Sequence, residues 1–321
     1  GNLESLKKLR IISICNEQNG QQLKMKKENS INTDKSKIKG LLNEVFEEIE
    51  SRSLGNSEAG KTMSFYDLDA MTQGLSPGNL YVIGGRPAMG KTSFVLNIAK
   101  NIGQIHNLPI CFFSLETSKK MLSYRLLSME TGIESGRLKT GRLTQEEWPI
   151  LGEAIYFLSE NPIYLIDKPS IQVSEIYQFC EEVKNKHKKD LGVIIIDFLQ
   201  LMEDKSLGKN ISREDEISKI MNDLKNLSMN LEVPIIITSQ LKRELETRTN
   251  KRPMLSDIRE SEVIENRADL IAFIYRDEYY NPETEDRGIT EIIVAKQRNG
   301  PVGTVKLLFE PQYTRFRNLA I

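Results

Sequence analysis

The chain of 321 residues is predicted to fold as an α/β protein with a mostly parallel central sheet, preceded by a helical segment. Two observations carry this. From about Thr62 onward, short apolar and β-branched runs alternate with helical stretches, the order that crossover helices between parallel strands impose. One of these runs opens directly into a Gly-rich loop followed by a helical stretch. With 39% hydrophobic and 28% charged residues, the composition fits one large α/β domain plus an accessory segment.

Composition also excludes. Lys and Arg total 44 against 45 Asp and Glu, so a formal net charge of -1 rules out a uniformly basic binder, and any nucleic-acid contact must be local. No apolar run is long enough to span a bilayer, so a soluble protein with no membrane contact is expected. The three cysteines, Cys15, Cys111 and Cys180, lie far apart, and His106 and His187 are the only histidines. A disulfide scaffold and a Cys/His zinc site are thereby excluded, and with a polar, charged start the chain is expected in a reducing compartment, not secreted.

Along the chain, Leu3, Leu6, Leu9 and Ile12 recur at helical spacing and predict a short amphipathic helix, the remnant of something larger, over residues 1–16. Residues 16–37 are rich in Gln, Asn, Lys and Ser without a period, so 17–61 reads as a linker. Within it, Ile38, Leu41, Leu42, Val45, Phe46 and Ile49 mark one face of a helix over 38–50. That face packs either on its own domain or on a neighbouring subunit. The third region, 62–321, carries core strands at 80–83, 110–114, 193–196, 234–238 and 270–275. A run at 163–166 fits the same sheet, and 291–295 with 302–309 predicts a terminal hairpin turned at Asn299-Gly300.

The chemistry begins at Gly85-Arg86-Pro87-Ala88-Met89-Gly90-Lys91-Thr92, which satisfies G-x-x-x-x-G-K-[ST] between a strand and a helix. Such a loop wraps phosphates with backbone amides at a helix N-terminus, while Lys91 reaches the β and γ phosphates and Thr92 offers a hydroxyl to Mg²⁺. Hydrolysis of ATP then needs a metal carboxylate and a group to orient water. Asp197 ends the apolar strand Val193-Ile194-Ile195-Ile196 and is the expected Mg²⁺ carboxylate, against the plainer role of a turn residue. Glu116 follows the strand ending at Ser114 and is the expected general base. Gln240 ends a third strand and is placed to sense the γ phosphate, or merely to cap it.

Lys296 and Arg298, two apart at the end of a strand, share a face. Since Lys91 already serves the phosphates in cis, the pair suits a finger delivered to a neighbouring subunit, the alternative being a solvated surface pair. The stretch from Lys242 to Arg259 is the most basic of the chain, with Arg243, Arg248, Lys251, Arg252 and Arg259 as candidate contacts to a phosphate backbone. No aromatic residue interleaves them, so base stacking is not indicated. Lys209, in the loop after Asp197, is a second and weaker candidate.

The order of these motifs, with Ser114-Leu115-Glu116, Ile196-Asp197-Phe198-Leu199-Gln200-Leu201, Ser239-Gln240-Leu241, Lys251-Arg252-Pro253 and Lys296-Gln297-Arg298-Asn299-Gly300-Pro301, resembles the DnaB-type replicative helicases. The resemblance covers about Thr62 to the C-terminus. It implies a RecA-like fold in a homohexameric ring, with ATP between subunits, Lys296 and Arg298 acting in trans, and basic loops lining a channel for single-stranded DNA. It further implies that the helix over 38–50 docks on the adjacent subunit and that primase and a helicase loader are partners, while abundant Lys, Asn and Ile point to an AT-rich genome and so to a bacterial cytoplasm or a plastid stroma. Departures are Glu262, where the family usually has Gly, and Arg267, near a usual acidic position. The competing reading is a RecA-like ATPase that acts as a nucleic-acid-binding switch or loader without unwinding.

Overall fold

The computed structural model describes residues 38–55, 59–204, 206–207 and 211–319, apart from the side chain of Lys39. The helix and linker expected over residues 1–37 and the candidate Lys209 lie outside the described residues. The chain divides into two units, 1–58 and 59–321. In the first, helix α1 (Ile38–Ser53) runs three residues beyond the expected span, and Ile38, Leu42, Phe46 and Ile49 are exposed along it.

The second unit holds a nine-stranded sheet. Its strands are β1 (Leu80–Gly85), β2 (Ile110–Ser114), β3 (Ile163–Asp167), β4 (Val193–Asp197), β5 (Ile235–Gln240), β6 (Leu270–Tyr275), β7 (Ile289–Gln297), β8 (Gly303–Glu310) and β9 (Arg315–Asn318). They lie in the order β3-β2-β4-β5-β1-β6-β7-β8-β9, the first six mutually parallel and the last three antiparallel. All six expected runs of the parallel part are strands. The terminal pair also forms, but Arg298 to Val302 connect it, a longer link than a two-residue turn at Asn299-Gly300. Strand β9 was not expected.

Alternation along the central strands sends side chains to two layers. Tyr81 and Ile83 face one core with Phe94, Ile98 and Ile102 of α2 (Lys91–His106) and Leu122 and Met129 of α3 (Lys119–Thr131). Leu80 and Val82 face the other, with Ile176 and Cys180 of α4 (Val173–His187) and Ile220 and Leu224 of α5 (Arg213–Asn230). Burial on both faces is why these strands read as continuous apolar runs. Caps set the helix starts: Ser118 Oγ accepts from the Met121 amide, and Ser212 Oγ from the Asp215 amide.

Candidate nucleotide site

Parallel pairing decides what meets the loop 85–92. Strand β1 lies between β5 and β6, and Gly85 is in register with Gln240. Strand β2 pairs with β4 so that Ser114 lies beside Asp197, and the Leu115 amide donates to the Asp197 carbonyl at 2.8 Å. Four parallel strands therefore end at one sheet edge carrying the loop, Glu116, Asp197 and Gln240, and a cavity of about 410 Å³ is lined by residues from all four ends.

Helix α2 starts at Lys91 after Gly90, whose φ of 97° only glycine adopts without strain. A Cβ there would also stand 3.2 Å from the Phe316 ring and 3.3 Å from that of Phe309. Lys91 Nζ donates to the Gly85 carbonyl at 2.8 Å and the Arg86 carbonyl at 3.0 Å. Burial lowers its pKa to about 8, with Asp197 and Glu116 opposing the shift. Thr92 Oγ1 donates to Asp197 Oδ2 at 2.7 Å, and Thr238 Oγ1 donates to Oδ1 of the same buried carboxylate.

A hydroxyl and a carboxylate side by side at a helix N-terminus are the hard oxygen donors that a small divalent cation takes, along with water and phosphate oxygens. Among the described residues no group of three or more His, Cys, Asp or Glu stands together as a metal cage. Thr92 and Asp197 would hold such a cation together with a bound phosphate, so the residues present fit a metal–nucleotide pair.

Two cations at the cavity escape a reading by motif. Arg125, midway along α3, lines it, and burial pushes its pKa down while Asp197 and Glu116 hold it up. Arg276, just past β6, donates to the Ala88 carbonyl at 3.2 Å and lies over the Phe309 ring at 4.9 Å. Neither belongs to a local pattern; both arrive from elements that only the fold brings near.

The remaining expected residues divide between the cavity and other places. The Arg86 side chain turns away from the cavity, donating through Nε to Glu246 and through Nη1 to the Leu241 carbonyl, both at 2.9 Å. Gln240 lines the cavity, and its amide donates to Gln200 Oε1 at 3.2 Å. Lys296 Nζ donates to the carbonyls of Glu265 and Ala268, and Arg298 Nη2 to that of Asn266 at 2.7 Å. The pair flanks Asp269, which accepts from the amide of Leu80, the first residue of β1, whereas the phosphate loop begins at its last. Five residues of strand put about 16 Å between the two edges.

In the basic stretch, Arg248 makes a bidentate pair with Asp257, and Arg252 a bidentate pair with the buried Glu291. Lys251 lies over the Tyr280 ring at 5.0 Å. Arg243 and Arg259 are exposed. Glu262 opens helix α6 (Ser261–Arg267), and Arg267 ends it.

Residues 60–318 match the family described as DnaB-like helicase C terminal domain. The replicative DNA helicase DnaB of Geobacillus stearothermophilus is 46% identical over 88% of this chain and 62% of its own length. A probable replicative DNA helicase of Trieres chinensis is 44% identical over 86% of this chain and 61% of its own. The chain thus spans about three fifths of these relatives. Among solved structures, the ATPase domain of G40P superposes with a TM-score of 0.83 at 40% identity, covering 89% of this chain and 99% of that one. A DnaB-like replicative helicase studied with its primase interactions superposes with a TM-score of 0.80 at 37% identity, covering 99% of this chain and 78% of that one.

Proposed function

The chain belongs to the DnaB-like helicase C-terminal domain family, and from that premise we propose that it is the motor of a replicative helicase, hydrolysing ATP to move along single-stranded DNA and part the duplex. One observation carries the reading. Loop, base candidate and metal carboxylate share one sheet edge, while Lys296 and Arg298 stand at the other, about 16 Å away. Their distance from the chain's own loop supports a role at a neighbour's, and the ring of six follows from the family.

Lys91 and the backbone amides of 88–92 would hold the phosphates of ATP, and Thr92 with Asp197 would hold Mg²⁺, which supplies charge neutralisation when bound. Glu116 accepts the proton of the attacking water, Arg125 opposes the two carboxylates, and Gln240 reports on the γ phosphate. Arg243, Lys251 and Arg259 face the phosphates of single-stranded DNA, with Arg248 and Arg252 shaping the loop that carries them. The exposed apolar face of α1 docks on the next subunit, and primase and a loader complete the partners, in a bacterial cytoplasm or plastid stroma.

ATPase rate against added single-stranded DNA, with particle mass read on the same sample in ATP and Mg²⁺, tests the reading. DNA-stimulated turnover by a six-subunit species is expected. A monomer whose turnover ignores DNA would sink it and favour the switch.

A further inference from the structure

We propose that Arg86 and Glu246 form a tie through which the phosphate loop sets the position of the basic loop, so that nucleotide and single-stranded DNA affect each other's affinity. This rests on the reading above and names the residues that link its two ligands.

The basic loop is a preformed unit. Its base is closed by the antiparallel bridge between Leu241 and Ile258 and by the Lys242 amide, which donates to the Asp257 carbonyl at 2.8 Å. Arg248 on Asp257, at 2.8 and 3.1 Å, braces its middle, and the turn of 3-10 helix Arg243–Thr247 buries Leu245. A unit tied to itself in this way moves as one piece, so what holds one point of it steers the rest.

Arg86 holds two such points. Its guanidinium donates to the Leu241 carbonyl at the base and to Glu246 on the 3-10 turn, and the residue is only 8% exposed. A guanidinium is a planar fork with donors fixed relative to one another, so two acceptors gripped by one fork keep their spacing. At its other end Arg86 is part of the phosphate loop, and its carbonyl accepts from Lys91 Nζ at 3.0 Å. Lys91 is the residue that answers to phosphate. As it divides its three donors between phosphate oxygens and the Gly85 and Arg86 carbonyls, the Arg86 peptide shifts and carries the fork with it.

This route is separate from Gln240, which ends the strand beside Gly85 and lines the cavity itself. Glu246 is not among the residues that line the cavity, and its side chain is 39% exposed. The Arg86 end of the pair is buried and the Glu246 end is not, so a substitution that keeps an acceptor at 246 removes the charge of the tie without leaving the guanidinium unpaired.

The test compares Glu246→Gln with Glu244→Gln, which makes the same charge change on the same turn at an exposed carboxylate with no tie to Arg86. Affinity for a fluorescein-labelled oligothymidylate is measured with and without a non-hydrolysable ATP analogue, beside ATPase without DNA. In the parent chain and in Glu244→Gln, the analogue is expected to change DNA affinity about tenfold, within the usual range of such couplings. In Glu246→Gln the factor is expected to fall to about twofold or less, with ATPase in the absence of DNA unchanged, and Glu246→Asp to recover part of it. Equal factors in Glu246→Gln and Glu244→Gln overturn the tie while leaving the helicase reading intact. A parent chain with no coupling overturns both.

Discussion

Lys91 is the residue on which the site's response to pH turns. Burial brings its pKa down to about 8, so below that value it carries the charge that phosphate needs, and above it the free protein loses that charge. Bound phosphate favours the protonated form, so the sign is fixed: affinity falls as pH rises through 8. The dissociation constant for ADP, measured by titration calorimetry, should be roughly tenfold or more higher at pH 9.5 than at 7.5. Lys91→Arg, which keeps its charge over this range, should bind with an affinity that does not follow pH; a flat profile in the parent chain would refute the argument. Arg125 is the second residue to test, facing the carboxylates of Glu116 and Asp197 from a neighbouring helix. Arg125→Ala is expected to cut turnover by about 100-fold with a much smaller change in nucleotide affinity, as for other groups aimed at developing charge. Arg125→Lys should restore part of the rate. Glu116→Gln should still bind nucleotide yet not hydrolyse it, and normal turnover there would move the base elsewhere.

Elements were legible where burial wrote a pattern. Five of the six parallel strands are buried on both sides, and the edge strand β3 is half-buried, which forces unbroken apolar runs that a reader of the sequence can bound within a residue or two. Strand β9 has no such pattern: of Arg315, Phe316, Arg317 and Asn318 only Phe316 is apolar, and the strand exists because a distant helix receives it. Asn97 of α2 donates to the Thr314 carbonyl at 3.1 Å, and its Oδ1 accepts from the Phe316 amide at 3.2 Å. The Phe316 ring then stacks on Phe309 and meets Phe94 edge-on, backing the turn at Gly90. Asn97→Ala leaves buried backbone groups unpaired and should cost about 2 kcal/mol, lowering Tm by roughly 4–8 °C. An unchanged Tm would mean that β9 is held by its pairing with β8 and its ring contacts. The site divides in the same way. Gly85 to Thr92, Glu116, Asp197 and Gln240 were readable because each stands at or just past the end of a strand. Arg125 was not, being one position in the middle of a helix, and no charge run could say that Arg248 and Arg252 would find Asp257 and Glu291.

For the whole molecule, the parallel order of β5, β1 and β6 sets which jobs one copy can do for itself. What stands at the C-terminal ends of those strands lies beside the chain's own loop, while Lys296 and Arg298 are anchored on the last turn of α6 and the segment after it, beside the start of β6. The β-bulge between β6 and β7 marks this division, since the register slips between Ile271, opposite Lys296, and Ala272, opposite Val294. If Arg298 acts on a neighbour, two inactive variants carry complementary halves. Lys91→Ala lacks a working loop but supplies Arg298, whereas Arg298→Ala supplies a working loop and no finger. Each alone should turn over at least 100-fold more slowly than the parent chain, in line with the loss of such a finger elsewhere. Mixed one to one with random assembly, about a quarter of the interfaces join a working loop to a working finger. ATPase should therefore rise from near zero to a fraction of the parent rate and follow the product of the two mole fractions as the ratio is varied. Activity that stays at the level of the separate variants at every ratio would place Arg298 at its own loop or nowhere in catalysis, and the separation between the two sheet edges would then have no catalytic meaning.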